Sequence, residues 1–279
     1  KGASKGEGLG NKFLSHIREV DAVIHMIRCF DSDDIQNVNT DVDPIRDLEI
    51  IETEMMLADL ESIQKRLEKN NKKNVDEDQL KILEIALDCI NNDKDISILN
   101  SQFDTKQLNQ SGLLSIKPKI FVCNVDEQSV QDGNKYTKNF IEKFGKDNTL
   151  IVSADIENQI NELAEDEKKN YMDMIGLKDT GLSMLIQKGY KILELDTYFT
   201  SGPEETRAWT IQKNCTAPKA AGEIHTDFEK GFIRAETISY EDFITYNGWV
   251  NSKENGKMRL EGKDYIVKDG DVLNFRFNT

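Results

Sequence analysis

Asn124 and Glu127 stand three residues apart immediately after an apolar run, Ile120-Phe121-Val122-Cys123. A short, nearly continuous apolar run predicts a buried strand of a parallel sheet. Ligands of open parallel sheets bind at the carboxyl ends of the strands, which is where this pair falls. An asparagine amide there can pair with a purine edge or brace a neighbouring loop. A carboxylate three residues later can accept hydrogen bonds from ring or exocyclic N–H groups. The same spacing also suits an ordinary surface loop; the position at a strand end is what raises it. Ser153-Ala154 ends the next short apolar run, Thr149-Leu150-Ile151-Val152.

The remaining pattern describes the elements that must hold these residues. Phe13, Leu14, Ile17 and Val20 predict a short amphipathic helix, and Ala22 to Phe30 a buried strand. An acidic loop, Asp31 to Asp43, leads to Pro44, a residue suited to the first helical position. Leu48, Ile51, Met55, Met56, Leu60, Ile63 and Leu67 follow a 3/4 spacing, as do Leu80, Leu83, Leu87 and Ile90 after a polar turn at Asn70–Asn74. This pair predicts an antiparallel helical hairpin that interrupts the sheet. Strands at 118–124 and 149–153 alternate with helices near 136–144 and 181–195. That alternation is the signature of a doubly wound α/β domain. From about Thr197 the pattern changes to short strands, at 207–211, 232–238, 265–267 and 272–277, around short helices at 217–222 and 240–246. A separate small α+β module is expected there.

Charge and composition exclude several classes. The net charge of −15 argues against coating nucleic acid by bulk charge. It is unevenly spread: residues 31–116 hold 20 acidic and 9 basic side chains, a net −11, whereas residues 197–279 hold 13 and 11. The tail can therefore carry a local basic face. No apolar run reaches membrane-spanning length and no signal peptide is visible. The chain opens on Lys1 without a Met, so a piece of a longer protein is expected. Cys29, Cys89, Cys123 and Cys215 match neither a metal spacing nor a disulfide framework and read as reduced thiols of a cytoplasmic protein. His25 reads as a core histidine and His16 as a surface one. His225 and Asp227 invite an acid/base role but read better as a structural turn.

The Asn124/Glu127 pair resembles the Asn-Lys-x-Asp base-recognition motif of P-loop GTPases, with Val125 for the Lys and Glu127 for the Asp. Ser153-Ala154 resembles the Ser-Ala motif whose backbone N–H reaches the base from the other side. Longer stretches resemble YchF-type Obg-like ATPases. Lys1 to Phe13, with Gly6, Gly8 and Gly10, looks like their switch II region. Arg28-Cys29-Phe30, Lys117 to Glu127, Ala208-Trp209-Thr210-Ile211, Ala217 to Ala235 and Gly262 to Asp271 are also similar. The 217–235 stretch is the most specific, and the helical hairpin the most divergent.

The resemblance implies a doubly wound P-loop NTPase domain at residues 1–44 and 113–196, incomplete here. It also implies a helical coiled-coil insert at 45–112 and a carboxyl-terminal β-grasp TGS domain at 197–279. It implies ATP binding and hydrolysis to ADP and phosphate, with ATP preferred over GTP. Asn124, Val125 and Glu127 would line the purine, Ser153 and Ala154 would close it, and Gly6, Gly8 and Gly10 would belong to a mobile switch loop. The phosphate-binding loop, the Mg²⁺ ligands and the hydrolytic residue would lie upstream of Lys1, since no Gly-Lys-Ser/Thr occurs in the chain. The chain by itself is then expected to be inactive, though part of a monomeric, ribosome-associated switch. The TGS domain and the insert would meet ribosomal RNA and protein. Lys213, Lys219, Lys230 and Arg234, interleaved with Trp209 and Phe232, are the candidate RNA contacts. Two rival readings are a non-catalytic nucleotide-responsive binding protein and a hairpin that serves dimerisation.

Overall fold

The computed structural model describes residues 8–32, 35, 41–70 and 76–278. The chain divides into two compact units, Lys1–Gly189 and Tyr190–Thr279. Gly6, part of the acidic loop and the turn after Asn70 lie outside the described residues. Among the described residues no helix is long and apolar enough to cross a membrane.

In the first unit the elements run α1 (Gly8–Glu19), β1 (Val23–Arg28), α2 (Pro44–Asn70), α3 (Glu77–Asn91) and α4 (Thr105–Ser111). Next come β2 (Lys119–Asn124), α5 (Lys135–Phe144), β3 (Thr149–Val152), α6 (Ala154–Glu162), α7 (Glu165–Met174) and α8 (Gly181–Ile192). The three strands are parallel in the order β1-β2-β3. Alternate side chains point to opposite faces of a strand. Ile27 and Cys123 therefore share one face, where they pack with Leu48 of α2 and Phe140 of α5. Val152 points the other way, against α8. A Cβ added at Gly181 would lie 2.7 Å from Val152 Cγ1, so glycine is what lets the helix approach. With helices on both faces the sheet is doubly wound, as the alternating pattern predicts. β1 is an edge strand, and on its second face Ile24 and Met26 stay 51% and 62% exposed.

The interruption between β1 and β2 is helical, but it is more than a hairpin. Asp43 Oδ1 accepts from the Ile45 and Arg46 N–H groups and Pro44 opens α2, which satisfies the helix start. Ile63 of α2 meets Ile82, Leu83 and Ala86 of α3, and the cluster is closed by Leu99 from a 3-10 turn, Leu108 of α4, and Leu113. The sequence pattern did not resolve α4 or that turn, because runs of six and seven residues are too short to display a period. Only the far part of α2 pairs with α3. Its near part is claimed by other elements: Leu48 by the sheet, and Met55 and Ala58 by Leu14 and Ile17 of α1 and by Leu114.

That junction is pinned by a buried carboxylate. Asp59 is fully buried, and it accepts from Leu114 N at 2.9 Å, from Ser115 N at 2.8 Å and from the Ser115 hydroxyl. Arg18 of α1 approaches it to 3.8 Å and also donates to the Gly112 carbonyl. Burial pushes the Asp59 carboxyl above its ordinary value, against the opposing pull of Ser115, the two backbone N–H groups and Arg18.

The second unit contains β4 (Leu195–Ser201), β5 (Thr206–Gln212), α9 (Ala217–Ile224), α10 (Thr226–Lys230), β6 (Phe232–Ser239), α11 (Tyr240–Thr245), α12 (Trp249–Glu254), β7 (Arg259–Glu261) and β8 (Asp271–Phe277). The sheet order is β5-β4-β8-β6-β7, with β4 and β8 parallel and the other pairs antiparallel. One face grips α9: Tyr198, Ile211, Phe232, Ala235, Leu273 and Phe275 enclose Ala217, Ala220 and Ala221. This is a β-grasp arrangement, and the small alanines allow the close helix–sheet approach. Two expectations need correction. Leu195 to Ser201 is a central strand, although Tyr198 is its only fully buried side chain and no clear alternation marks it in sequence. Tyr265–Val267 makes one isolated bridge, Thr216 to Ile266, because β8 already pairs with β4 and β6. The Tyr265 hydroxyl instead donates to Asp271 at 2.7 Å; burial and that carboxylate push it up to about 12.

Tyr198 carries the first stability prediction. Its hydroxyl, wholly buried, donates to the Ala220 carbonyl at 2.8 Å. Tyr198→Phe should lower the unfolding free energy by about 1–2 kcal/mol, seen as a lower urea midpoint at unchanged slope.

Candidate functional site

The carboxyl ends of the three strands converge through backbone bonds. Cys29 N donates to the Asn124 carbonyl at 2.8 Å, and Val125 N to the Val152 carbonyl at 2.9 Å. Asn124 and Val152 are also register partners. Strand pairing alone thus sets the loop after β2 beside the start of α6.

Side chains complete the junction. Asn124 Oδ1 accepts from the Ala154 N–H at 3.0 Å, so the asparagine braces the first turn of α6 and its amide N–H₂ finds no acceptor among the described residues. Asp126 caps a short 3-10 turn, Glu127–Ser129, by accepting from Ser129 N. Glu127 opens that turn, and its Oε1 accepts from Gln159 Nε2 of α6 at 2.6 Å. Gln159 in turn accepts from the Tyr171 hydroxyl of α7. Ser153 is buried, and among the described residues its hydroxyl has no hydrogen-bond partner. It sits at the N-cap of α6 without capping the helix.

The structure therefore brings Asn124, Glu127, Ser153 and Ala154 into one region. Val125 lies deeper, in the core cluster with Cys123 and Phe140, and presents its backbone more than its side chain. Gly8 and Gly10 fall in the first turn of α1, which begins earlier than the apolar residues alone suggest. Gln159 and Tyr171 were not legible in sequence: they belong to no motif, and only their contact with Glu127 singles them out. What the site offers is an amide, a carboxylate oxygen and a helix N-terminus. That is a set of directional donors and acceptors suited to the edge of a planar heterocycle. Among the described residues no three His, Cys, Asp or Glu side chains are grouped to hold a metal ion.

The other candidates are separated from this site or from one another. His25 is buried on β1, 3.4 Å from Glu52, and burial lowers its pKa. His225 Nδ1 accepts from Asp227 N at 3.1 Å, a local turn in the second unit. Lys213, Lys219, Lys230 and Arg234 are all exposed. They do not share a face, since Ala235 packs on α9 and Arg234, next to it in the strand, points away. Phe232 is buried in the core and cannot stack on a base. Trp209 is half-buried, with Arg207 lying 4.1 Å over its ring.

A three-stranded parallel sheet wound on both faces, with an Asn-x-x-Glu loop braced by a Ser-Ala turn and a separate β-grasp unit, defines a P-loop NTPase-type protein. Comparison with known proteins places it further. The YchF GTPase carboxyl-terminal family model, described as a protein of unknown function (DUF933), matches residues 195–278. The ribosome-binding ATPase YchF of Escherichia coli O157:H7 is 47% identical over 286 residues, spanning 100% of this chain and 78% of that protein. The ribosome-binding ATPase YchF of Bacillus subtilis is 46% identical over 288 residues, spanning 100% and 79%. The solved structure of the Schizosaccharomyces pombe YchF GTPase superposes with a TM-score of 0.79 at 34% identity, covering 97% of this chain and 76% of that one. The chain belongs to the YchF family of Obg-like P-loop NTPases.

Proposed function

We propose that this protein binds ATP and hydrolyses it to ADP and phosphate, as a ribosome-associated switch, with the base read at the carboxyl ends of β2 and β3. The observation that carries the reading is the Asn124–Ala154 hydrogen bond, which locks the two base loops together and leaves the asparagine amide N–H₂ free to donate. Glu127 is the acceptor for an exocyclic amine, while Val125, buried with Cys123 and Phe140, anchors the loop to the core beneath it. The names of the relatives differ on the nucleotide, ATPase in the bacterial proteins and GTPase in the yeast one. The Glu at position 127 favours adenine.

The phosphate loop and Mg²⁺ ligands are assigned to the segment upstream of Lys1, and its strand to the free edge of β1 beside Ile24 and Met26. Bound Mg²⁺ would neutralise phosphate charge during transfer. By the same resemblance, α1 begins within the switch II region, and its packing on α2 through Leu14, Ile17 and Arg18 supports coupling to the helical insert. The boundaries 1–44 and 113–196 for the nucleotide domain, 45–112 for the insert and 197–279 for the TGS domain follow this division of labour. The insert and the TGS domain are the ribosome-facing parts of a monomeric cytoplasmic protein.

Glu127→Asp in the full-length protein tests the base reading. The shorter carboxylate should shift the ATP/GTP affinity ratio at least about fivefold toward GTP. Competition binding with the two nucleotides measures it, and an unmoved ratio means that this carboxylate does not read the base.

A further inference from the structure

We propose that Gln159, held by Tyr171, is the positioning residue that limits Glu127 to a single hydrogen bond with the base, and so sets the preference for adenine over guanine. The inference rests on the base reading above.

Guanine presents two adjacent N–H groups, the ring N1–H and the 2-amino group, and a carboxylate satisfies them by using both oxygens side by side. Adenine presents one exocyclic amine at its edge and needs one acceptor oxygen. In this structure Glu127 has already given Oε1 to Gln159 Nε2, at 2.6 Å. Among the described residues nothing donates to Oε2. The Gln159 amide oxygen accepts from the Tyr171 hydroxyl, which holds the side chain in place. A flipped amide could still donate to that hydroxyl, but it would set its oxygen against the acceptor-only Glu127 carboxylate. The tyrosine thus places the amide, the carboxylate sets its orientation, and the amide in turn holds the carboxylate. Both partners come from elements that follow β3, whereas Glu127 follows β2, so the constraint is set by the tertiary fold and is absent from any local motif. A carboxylate held with Oε1 turned toward α6 presents Oε2 alone to the base, which matches adenine and leaves one guanine N–H without its acceptor once the base is bound.

Gln159→Leu and Tyr171→Phe in the full-length protein test this, with ATP and GTP each competing against a fluorescent ATP analogue. The leucine should release Oε1, raise GTP affinity and move the ATP/GTP ratio at least about fivefold toward GTP. The phenylalanine should move it in the same direction by less. Both should do so with the thermal midpoint close to wild type. A ratio unmoved in both variants overturns the proposal, and Tyr171→Phe decides alone if Gln159→Leu unfolds. Glu127→Ala separates the two readings. If it moves the ratio while the relay variants do not, only the relay fails. If it leaves the ratio unchanged, the base reading fails with it.

Discussion

Asp59→Ala should destabilise the first unit by about 3–5 kcal/mol, because it removes the acceptor of two buried N–H groups and one hydroxyl and the carboxylate beside Arg18. Urea unfolding followed by far-ultraviolet circular dichroism measures it. Asp59→Asn keeps one oxygen for Ser115 and should recover part of the loss. The pH dependence has a definite sign. Burial holds the Asp59 proton to higher pH in the folded protein than in the unfolded chain. Protons then bind more tightly to the native state, and the contribution of Asp59 falls as pH rises from the unfolded carboxyl value through the raised native one. Asp59→Asn should flatten that part of the stability profile.

The 279-residue chain alone should hydrolyse ATP at least about 10³-fold more slowly than the full-length protein. Catalysis of phosphoryl transfer is positioning and charge stabilisation by the phosphate loop and Mg²⁺, and on the proposed reading the groups described here address only the base. Single-turnover phosphate release on the two proteins measures the difference; equal rates would place the catalytic groups within residues 1–279. Hydrogen exchange supplies a second readout. The β1 amides on the free edge should become protected in the longer protein, because an added strand gives them partners.

Much of this architecture could be read from the chain before any coordinates. β1, β2 and β3 announce themselves because strands of a parallel sheet are nearly all apolar, and α2 and α3 because they are long enough to repeat a period. The loop residues Asn124, Glu127, Ser153 and Ala154 followed from their places at strand ends. What escaped notice depends on tertiary contact. β4 lies inside its sheet, between β5 and β8, yet runs Thr, Tyr, Phe and Thr without a clear apolar face, and α4 is two turns long. Val125 looked like a pocket residue because of its neighbours, but the sheet turns it inward. Asp59 sits in the middle of a helix where an exposed charge would be unremarkable, and Gln159 and Tyr171 acquire meaning only when α6 and α7 fold back over the loop after β2.

The 27 residues of α2 span roughly 40 Å at the usual helical rise. Its near end is clamped between β1 and α1, with Met55 and Ala58 against Leu14 and Ile17, and its far end pairs only with α3 and the short elements that close the bundle. A beam held at one end multiplies whatever happens at its mount. The part of α2 beyond Asp59 is about 17 Å long, so a tilt of about 10° at that mount would carry the tip through roughly 3 Å. The helical arm can thus turn a change in the packing of α1 into a larger displacement at its far end.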